Sequence, residues 1–348
     1  MNFYAIGLMS GTSLDGLDIC FSQFQKLDEK WSFTILKTTT IAYSKIWENK
    51  LRNAIYCTPE ELYQLNTDYG FYLGEMVNHF IRENKIENCD LIASHGHTVF
   101  HQPDKKFTVQ IGDGRAIKLA TEIPVVYDFR MQDVLMGGNG APLVPIGDEL
   151  LFSGYEACLN LGGFSNISFL KEGKRIAFDI CAVNIVLNAI AQKLGKEFDE
   201  NGAIAKQGKV DKALLEHLNE FEYYTQKPPK SLGVEWVNQN IAKCIQSYET
   251  EIVLATFTEH IAIQIAHILN SENLENVLFT GGGTYNTFLL ERIQSLTEAK
   301  IIVPTPEIIE YKEALIFAFM GVLKMQNINN VLSSATGSTL DHCSGVIA

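Results

Sequence analysis

The chain has 348 residues, enough for two domains or one large one, and at 46% hydrophobic and 20% charged it can bury a sizeable core. Its net charge of −13 argues against a nucleic-acid-binding surface and against anionic membranes as whole-protein properties, although a local site can still oppose that field and bind an anion. No basic stretch precedes an apolar one at the start, and no apolar run reaches about 18 residues, so neither a signal peptide nor a membrane span is expected. Seven scattered cysteines with no CxxC read as reduced thiols of a cytoplasmic protein, mostly buried as small hydrophobes.

In chain order, Phe3–Leu8, Leu17–Phe24 and Ser32–Ile41 read as three consecutive strands. Between the first two lies Ser10-Gly11-Thr12-Ser13, with Gly16 just beyond. Glycines allow a tight turn and close backbone approach, and converging N–H groups and hydroxyls suit a phosphate, with Asp15 near any metal it carries. The same residues would also make an ordinary polar hairpin. The turn is not a Walker loop, since GxxxxGK[ST] is absent and a strand follows. Ile46–Tyr56 and Glu60–Glu83 read as helices, the second announced by Thr58-Pro59-Glu60-Glu61. Asp90–Ser94 is a short buried strand delivering Ser94-His95-Gly96-His97-Thr98 at its carboxyl end, where α/β folds place ligand groups. Strands at Phe107–Ile111 and Val125–Tyr127 precede Gly137-Gly138-Asn139-Gly140-Ala141-Pro142, read as a hinge or domain boundary.

The opening pattern then recurs. Ala157–Leu161, a tight turn over Gly162–Asn166, Ile167–Leu170, a second turn and Arg175–Phe178 repeat strand, turn, strand, turn, strand, which points to duplicated domains with two phosphate turns. Helices are expected at Ala182–Leu194, Val210–Phe221, Val234–Ser247 and Glu251–Leu269, the last with one apolar face. Pro228-Pro229-Lys230-Ser231 is a rigid loop. Val277–Thr280 is a buried strand opening into Gly281-Gly282-Gly283 and a helix, a place where a nucleotide's base or sugar can lie on bare backbone. Ile301–Val303 is a strand, Glu313–Met325 an apolar helix, and Ser333–Ala348 a small polar tail.

Taken together and in order, MSGTSLDG (Met9–Gly16), SHGHT (Ser94–Thr98), QIGDG (Gln110–Gly114), DFR…D…GG-x-GAPLVP (Asp128–Pro145), NLGGFSNI (Asn160–Ile167), FD…N (Phe178–Asn184), PPKS-x-G (Pro228–Gly233), TGGGTYN (Thr280–Asn286) and EA…FA (Glu313–Ala318) resemble the anhydro-N-acetylmuramic acid kinases. The resemblance covers essentially the whole chain. It implies an α/β, two-domain actin-like ATPase (ribonuclease H-like) fold, with duplicated mixed sheets flanked by helices and a central nucleotide cleft. One domain would be 1–136 plus a C-terminal part from about 310 to 348, the other 137–309. Members of that family open the 1,6-anhydro ring of anhydro-N-acetylmuramic acid with water and phosphorylate O6 from ATP and Mg²⁺, in murein recycling.

The same resemblance implies roles. Asp179 matches the catalytic aspartate and would be the base for the attacking water; the alternative is a cap on the helix at Ala182. Gly11, Thr12, Ser13, Leu14, Asp15, Gly16 and Asp18 would form the first ATP loop, Asn160, Gly162 and Gly163 the second, and Gly281, Gly282 and Gly283 the adenosine-side loop. Asp15 would support Mg²⁺ through water. His95, Arg130, Asp133, Asn184 and Glu313 are the substrate-side candidates. Arg130 and Asp133 either bind substrate or form an ion pair holding their loop, and Glu313 either approaches the substrate or serves the dipole in the first turn of its helix. His95, His97 and His101 would suit a zinc-like ion, whereas this mechanism calls for Mg²⁺, so His95 is read as orienting sugar or loop groups. Asp341-His342-Cys343 is read as coincidence. A small amino-sugar substrate, a homodimer, a cytoplasmic location, and cleft closure about Gly137–Gly140 are further expectations.

One departure stands out. Where the family commonly has Thr-Gly-Pro-Gly after Phe-Asp, this chain has Ile180-Cys181-Ala182-Val183. The alternatives are a kinase for a different amino sugar on the same fold, or a non-catalytic ATP-binding protein of the Hsp70/actin class, though no peptide- or polymer-binding region is visible beyond Gly337.

Overall fold

The computed structural model describes residues 1–11 and 14–348; Thr12 and Ser13 lie outside the described residues. The chain divides into two compact units, Met1–Leu151 with Tyr311–Ala348, and Phe152–Glu310.

In the first unit, β1 (Asn2–Ser10), β2 (Gly16–Leu27) and β3 (Lys30–Ala42) form an antiparallel meander. Beyond β1 come β4 (Leu91–Gln102) and β6 (Val125–Tyr127), both parallel to it, while β5 (Phe107–Ile111) pairs with the end of β4. The β1 run Ala5-Ile6-Gly7-Leu8 is apolar because the strand is covered on both faces. On one side lie Tyr69, Leu73, Val77 and Phe80 of the Pro59–Asn84 helix. That helix starts as the sequence announces: Thr58 and Glu61 cap each other reciprocally, with Pro59 in the first turn. The Pro306–Met325 helix also packs on this sheet; Gly7 has no room for a Cβ against the Ala314 carbonyl, and a Cβ on Gly321 would meet that of Ala93 at 2.7 Å.

The second unit repeats the order. Its β7 (Ala157–Leu161), β8 (Phe164–Lys171) and β9 (Lys174–Ala182) are an antiparallel meander, and β10 (Asn276–Thr280) and β11 (Lys300–Ile302) run parallel to β7. The sheet order is β11-β10-β7-β8-β9, against β6-β4-β1-β2-β3 in the first. Two α/β units with this common mixed topology match the expected duplicated ribonuclease H-like sheets.

Several expectations need correction. The Ser94–Thr98 motif does not follow a strand but lies inside β4, which continues to Gln102 because β5 pairs with its second half; Gly96 (φ +75°) lies where the pairing of β4 with β1 shifts register, between Ser94 and His97. Likewise β9 runs on to Ala182, since Ile180–Val183 are apolar and buried, so the next helix starts at Asn184 (Asn184–Gln192). The turn after β7 is only Gly162-Gly163. The domain break comes after Leu151, not before Gly137. The Pro145–Leu150 helix belongs to the first unit through a buried Asp148–Lys312 ion pair (2.7 Å), and Gly147 packs without space for a Cβ against Ile316. The Thr250–Ser271 helix is not one-faced: Thr256, Thr258 and His260 are as buried as Leu254 and Phe257. It is long and apolar enough to cross a membrane, and its burial in the second unit's core accounts for that composition. The apolar helix expected from Glu313 begins instead at Pro306; Thr305-Pro306-Glu307 repeats the Thr-Pro-Glu start signal of residues 58–60. The tail is ordered by a short helix (Ser333–Thr336) and by β12 (Val346–Ile347), which pairs with β6. Among the described residues no cysteine is bridged; Cys20, Cys158 and Cys181 are buried and the other four half-buried.

Candidate active site

In the first unit, β1 delivers Ser10 and Gly11 into the turn. The buried Ser10 hydroxyl accepts from Tyr43 Oη (2.8 Å) and lies 3.2 Å from His97 Nδ1, while Tyr43 Oη meets Tyr69 Oη at 2.6 Å. Burial pushes the His97 pKa down to about 4, so at neutral pH this imidazole is an uncharged hydrogen-bond partner at the base of the turn. Leu14 adopts a left-handed conformation (φ 63°), costly for a branched residue, and its side chain is in the core, so only its backbone can serve a ligand. Gly16 N donates to Asp15 Oδ1 (3.1 Å); a Cβ on Gly16 would meet the Ile41 carbonyl oxygen at 2.8 Å. Asp15 is exposed, and Asp18 Oδ1 accepts from Thr40 Oγ1 (2.6 Å). Asp15 thus offers an exposed carboxylate, the oxygen donor type that Mg²⁺ takes.

A second cluster in this unit surrounds Arg130. Its Nε donates to His95 Nε2 (2.8 Å) and its Nη1 to the Gly140 carbonyl (2.6 Å). His95 Nδ1 donates to the Gly96 carbonyl (2.8 Å), which leaves Nε2 as the acceptor; burial and the neighbouring guanidinium hold its pKa well below the usual imidazole range. Burial lowers the Arg130 pKa to about 10, opposed by Glu313 and Asp133. Glu313 reaches solvent, yet burial of its surroundings raises its pKa against the pull of Arg130 and Lys312. Glu313 sits in the second turn of its helix, so the dipole reading made for a first-turn residue does not apply.

Asp133 is fully buried. Its Oδ2 accepts from Gly140 N (2.7 Å) and its Oδ1 from Thr336 Oγ1 (2.7 Å), and its backbone carbonyl takes Gly138 N (2.9 Å). Asn139 N donates to the Thr336 carbonyl (2.8 Å). The glycine-rich stretch is thus a tied loop within one unit rather than a boundary, and Asp133 holds it by accepting from the Gly138 and Gly140 N–H groups, with His342 Nε2 3.7 Å from its Oδ1. His101 pairs with Thr108 Oγ1 (3.1 Å), and among the described residues no trio of His, Cys, Asp or Glu is placed to hold a metal. Asp341 accepts from Ser333, and His342 Nδ1 donates to the Leu340 carbonyl, which is no nucleophile arrangement.

In the second unit, β7 and β10 are parallel neighbours, so their following turns share one sheet edge. A Cβ on Gly281 (φ +83°) would collide with the Asn160 side chain and come within 2.8 Å of the Leu161 carbonyl oxygen; one on Gly283 would meet Leu161 Cβ at 2.7 Å. Gly282 faces open space. The Gly281–Gly283 turn therefore presses against Asn160 and Leu161 at the end of β7 and leaves bare backbone outward at Gly282, as a nucleotide needs. Asn184 Nδ2 donates to the Leu161 carbonyl (3.3 Å), and the backbone N–H groups of Val183, Asn184 and Ile185 are taken by the Gly162 and Gly163 carbonyls. The Ile180–Val183 departure is absorbed as core, with Cys181 N donating to Ser165 Oγ (3.2 Å), and Asn184 still reaches the turn.

Asp179 lies on β9, the edge strand, and does not cap the following helix, whose cap position is Val183. It is half-buried; Oδ2 accepts from Leu232 N (2.9 Å), and burial raises its pKa against that bond. Its backbone carbonyl accepts from Tyr223 Oη (2.7 Å). The sequence reading missed Tyr223, Leu232, Tyr43 and Thr336. The Tyr223-Tyr224 pair just before Pro228-Pro229 was the available signal for the first two; the others carry none.

Comparison with known proteins agrees along the whole length. The profile of the family described as anhydro-N-acetylmuramic acid kinase matches residues 3–348. The protein of that name from Mannheimia succiniciproducens is 33% identical over 379 residues, covering 100% of this chain and 99% of its own. That from Pseudomonas fluorescens is 35% identical, with 96% of each chain covered, and that from Clostridioides difficile 32%, covering 96% of this chain and 95% of its own.

Proposed function

Because the chain belongs to the anhydro-N-acetylmuramic acid kinase family, a family of sugar phosphotransferases of murein recycling, we propose that Asp179 is its general base and that Mg·ATP is the phosphoryl donor. Asp179 takes a proton from water as the water oxygen bonds to the anomeric carbon. The C1–O6 bond breaks, O6 attacks the γ-phosphorus, and ADP leaves with the former β–γ bridging oxygen. The products are N-acetylmuramic acid 6-phosphate and ADP, with one proton released. The observation that carries this reading is the Asp179 carboxylate itself: half-buried, one oxygen engaged by a backbone N–H, and more basic than an exposed aspartate.

The backbone turns at Gly11–Gly16, Asn160–Gly163 and Gly281–Gly283 are assigned to the nucleotide. Asp15 is assigned to a hydrated Mg²⁺, which when bound neutralises charge on the phosphates. Arg130, oriented by His95, and Glu313 are assigned to the sugar. Asn184 is assigned to the same ligand, and Asp133 to holding the loop that carries the Gly140 carbonyl. A homodimer in the cytoplasm is the working assembly and location.

The test is mass spectrometry of early products from anhydro-N-acetylmuramic acid and Mg·ATP in ¹⁸O-water, with Asp179→Asn in parallel. A 6-phosphate carrying one ¹⁸O at the anomeric position, lost in the variant, is expected. ADP formed without that product would move the protein to another sugar.

A further inference from the structure

Asp179 lies on a sheet edge, where one side of the strand has no neighbouring strand to pair with. Three groups take that place. The Lys230 carbonyl accepts from Asp179 N (3.3 Å), Tyr223 Oη donates to the Asp179 carbonyl (2.7 Å), and Leu232 N donates to the carboxylate Oδ2 (2.9 Å). The Pro228–Gly233 segment thus pairs with this one residue through both backbone and side chain. It is itself anchored: Lys230 Nζ donates to the Tyr223 carbonyl (3.0 Å) and stands 4.6 Å from the centre of the Tyr223 ring and 5.8 Å from that of Phe178. Tyr223 packs edge-on against Tyr224 and close to Trp236, and Tyr224 Oη is held at 3.0 Å by the fully buried His260.

We infer that Tyr223 and Lys230 are positioning residues for Asp179, locking the edge strand to the Pro228–Gly233 loop so that Leu232 N–H occupies Oδ2 and Oδ1 is left to take the proton. The inference rests on Asp179 being the base. A carboxylate on an unpaired edge would otherwise sample several rotamers, and displacement of a reacting group by about 1 Å costs on the order of a hundredfold in rate. The Leu232 N–H also favours the charged carboxylate, so losing it moves the Asp179 pKa further up. The ammonium of Lys230 is committed to Tyr223 and the ring faces, so its part is to hold the loop rather than to exchange protons.

The experiment compares Tyr223→Phe and Lys230→Met with the unaltered full chain and with Asp179→Asn, under Mg·ATP and anhydro-N-acetylmuramic acid. It reads kcat, KM for both substrates, the acid limb of kcat/KM against pH, and the melting temperature. Expected for Tyr223→Phe is a kcat lower by about tenfold or more, an unchanged KM for ATP, and an acid limb moved to higher pH. Lys230→Met, which keeps the aliphatic stem over the rings, shifts both in the same direction by less, and serves if Tyr223→Phe fails to fold. Unchanged kcat and acid limb in both variants, with Asp179→Asn inactive, would overturn the positioning role and leave the base in place. An active Asp179→Asn would instead remove the base on which the role depends.

Discussion

The two units share a strand order but differ in how they hold their polar groups. In the first, imidazoles, phenols and a guanidinium are linked in chains of hydrogen bonds: His97 to Ser10, Ser10 to Tyr43 and Tyr43 to Tyr69, and Arg130 to both His95 and the Gly140 carbonyl. In the second, the site is mostly backbone, with a glycine turn packed on Asn160 and Leu161 and one carboxylate fastened to a loop. The same topology thus supports ligand groups either through side-chain networks, which must be satisfied throughout to be tolerated when buried, or through main-chain turns, which need only the absence of a Cβ.

The largest expected effect lies in the second unit. Asp179→Asn keeps the shape and the Leu232 bond but removes the base, so kcat should fall by about 10²–10⁴-fold while ATP binding, read by calorimetry, is retained. Loss of nucleotide binding along with activity would make Asp179 a structural residue. Next is Gly281→Ala. It combines a left-handed backbone with a collision against the Asn160 side chain and is expected to cost on the order of 2 kcal/mol in urea denaturation and to weaken ATP binding, because both turns must shift.

Acid sharpens the comparison further. His260 in the second unit and His97 in the first have folded pKa values pushed down to about 3 and about 4 by burial. An unfolded histidine titrates near about 6.5, so below that pH the unfolded chain binds protons the folded one refuses, and these groups subtract stability as pH falls until their folded pKa is passed. Replacing either with Gln should flatten the acid side of the stability curve, His260→Gln more than His97→Gln because its window is wider. Equal curves would mean that the imidazoles gain protons without unfolding. The smallest effect is expected at Gly137, which shares a positive φ (+84°) with Gly281 but has open space around its Cβ position. Gly137→Ala should cost only about 1 kcal/mol and leave ATP binding intact; a loss as large as at Gly281 would break the distinction between strain and collision.

Much of this architecture is readable from residue order. Period-two and apolar runs locate the strands of both meanders, and Thr58-Pro59-Glu60 marks a helix start that Thr305-Pro306-Glu307 repeats unnoticed. Segments that were misread are those whose state depends on a distant partner. Ser94–Thr98 looks like a loop until β5 pairs alongside it, and Gly137–Pro142 looks like a hinge until Asp133, Arg130 and Thr336 tie it down. For Asp179, local pattern offered a helix cap, and the strand won because Ile180–Val183 are buried with the core.

Local chemistry, then, sufficed for the elements, the glycine turns, the identity of the ordered motifs and the residue types a sugar kinase needs. Distances in the chain hid the rest. Tyr223 and Leu232 are far from Asp179 in sequence, as Thr336 is from Asp133, and no periodicity links them. A buried or edge backbone group must find a partner wherever the fold supplies one, and that choice is made by packing, long after spacing has ceased to carry information.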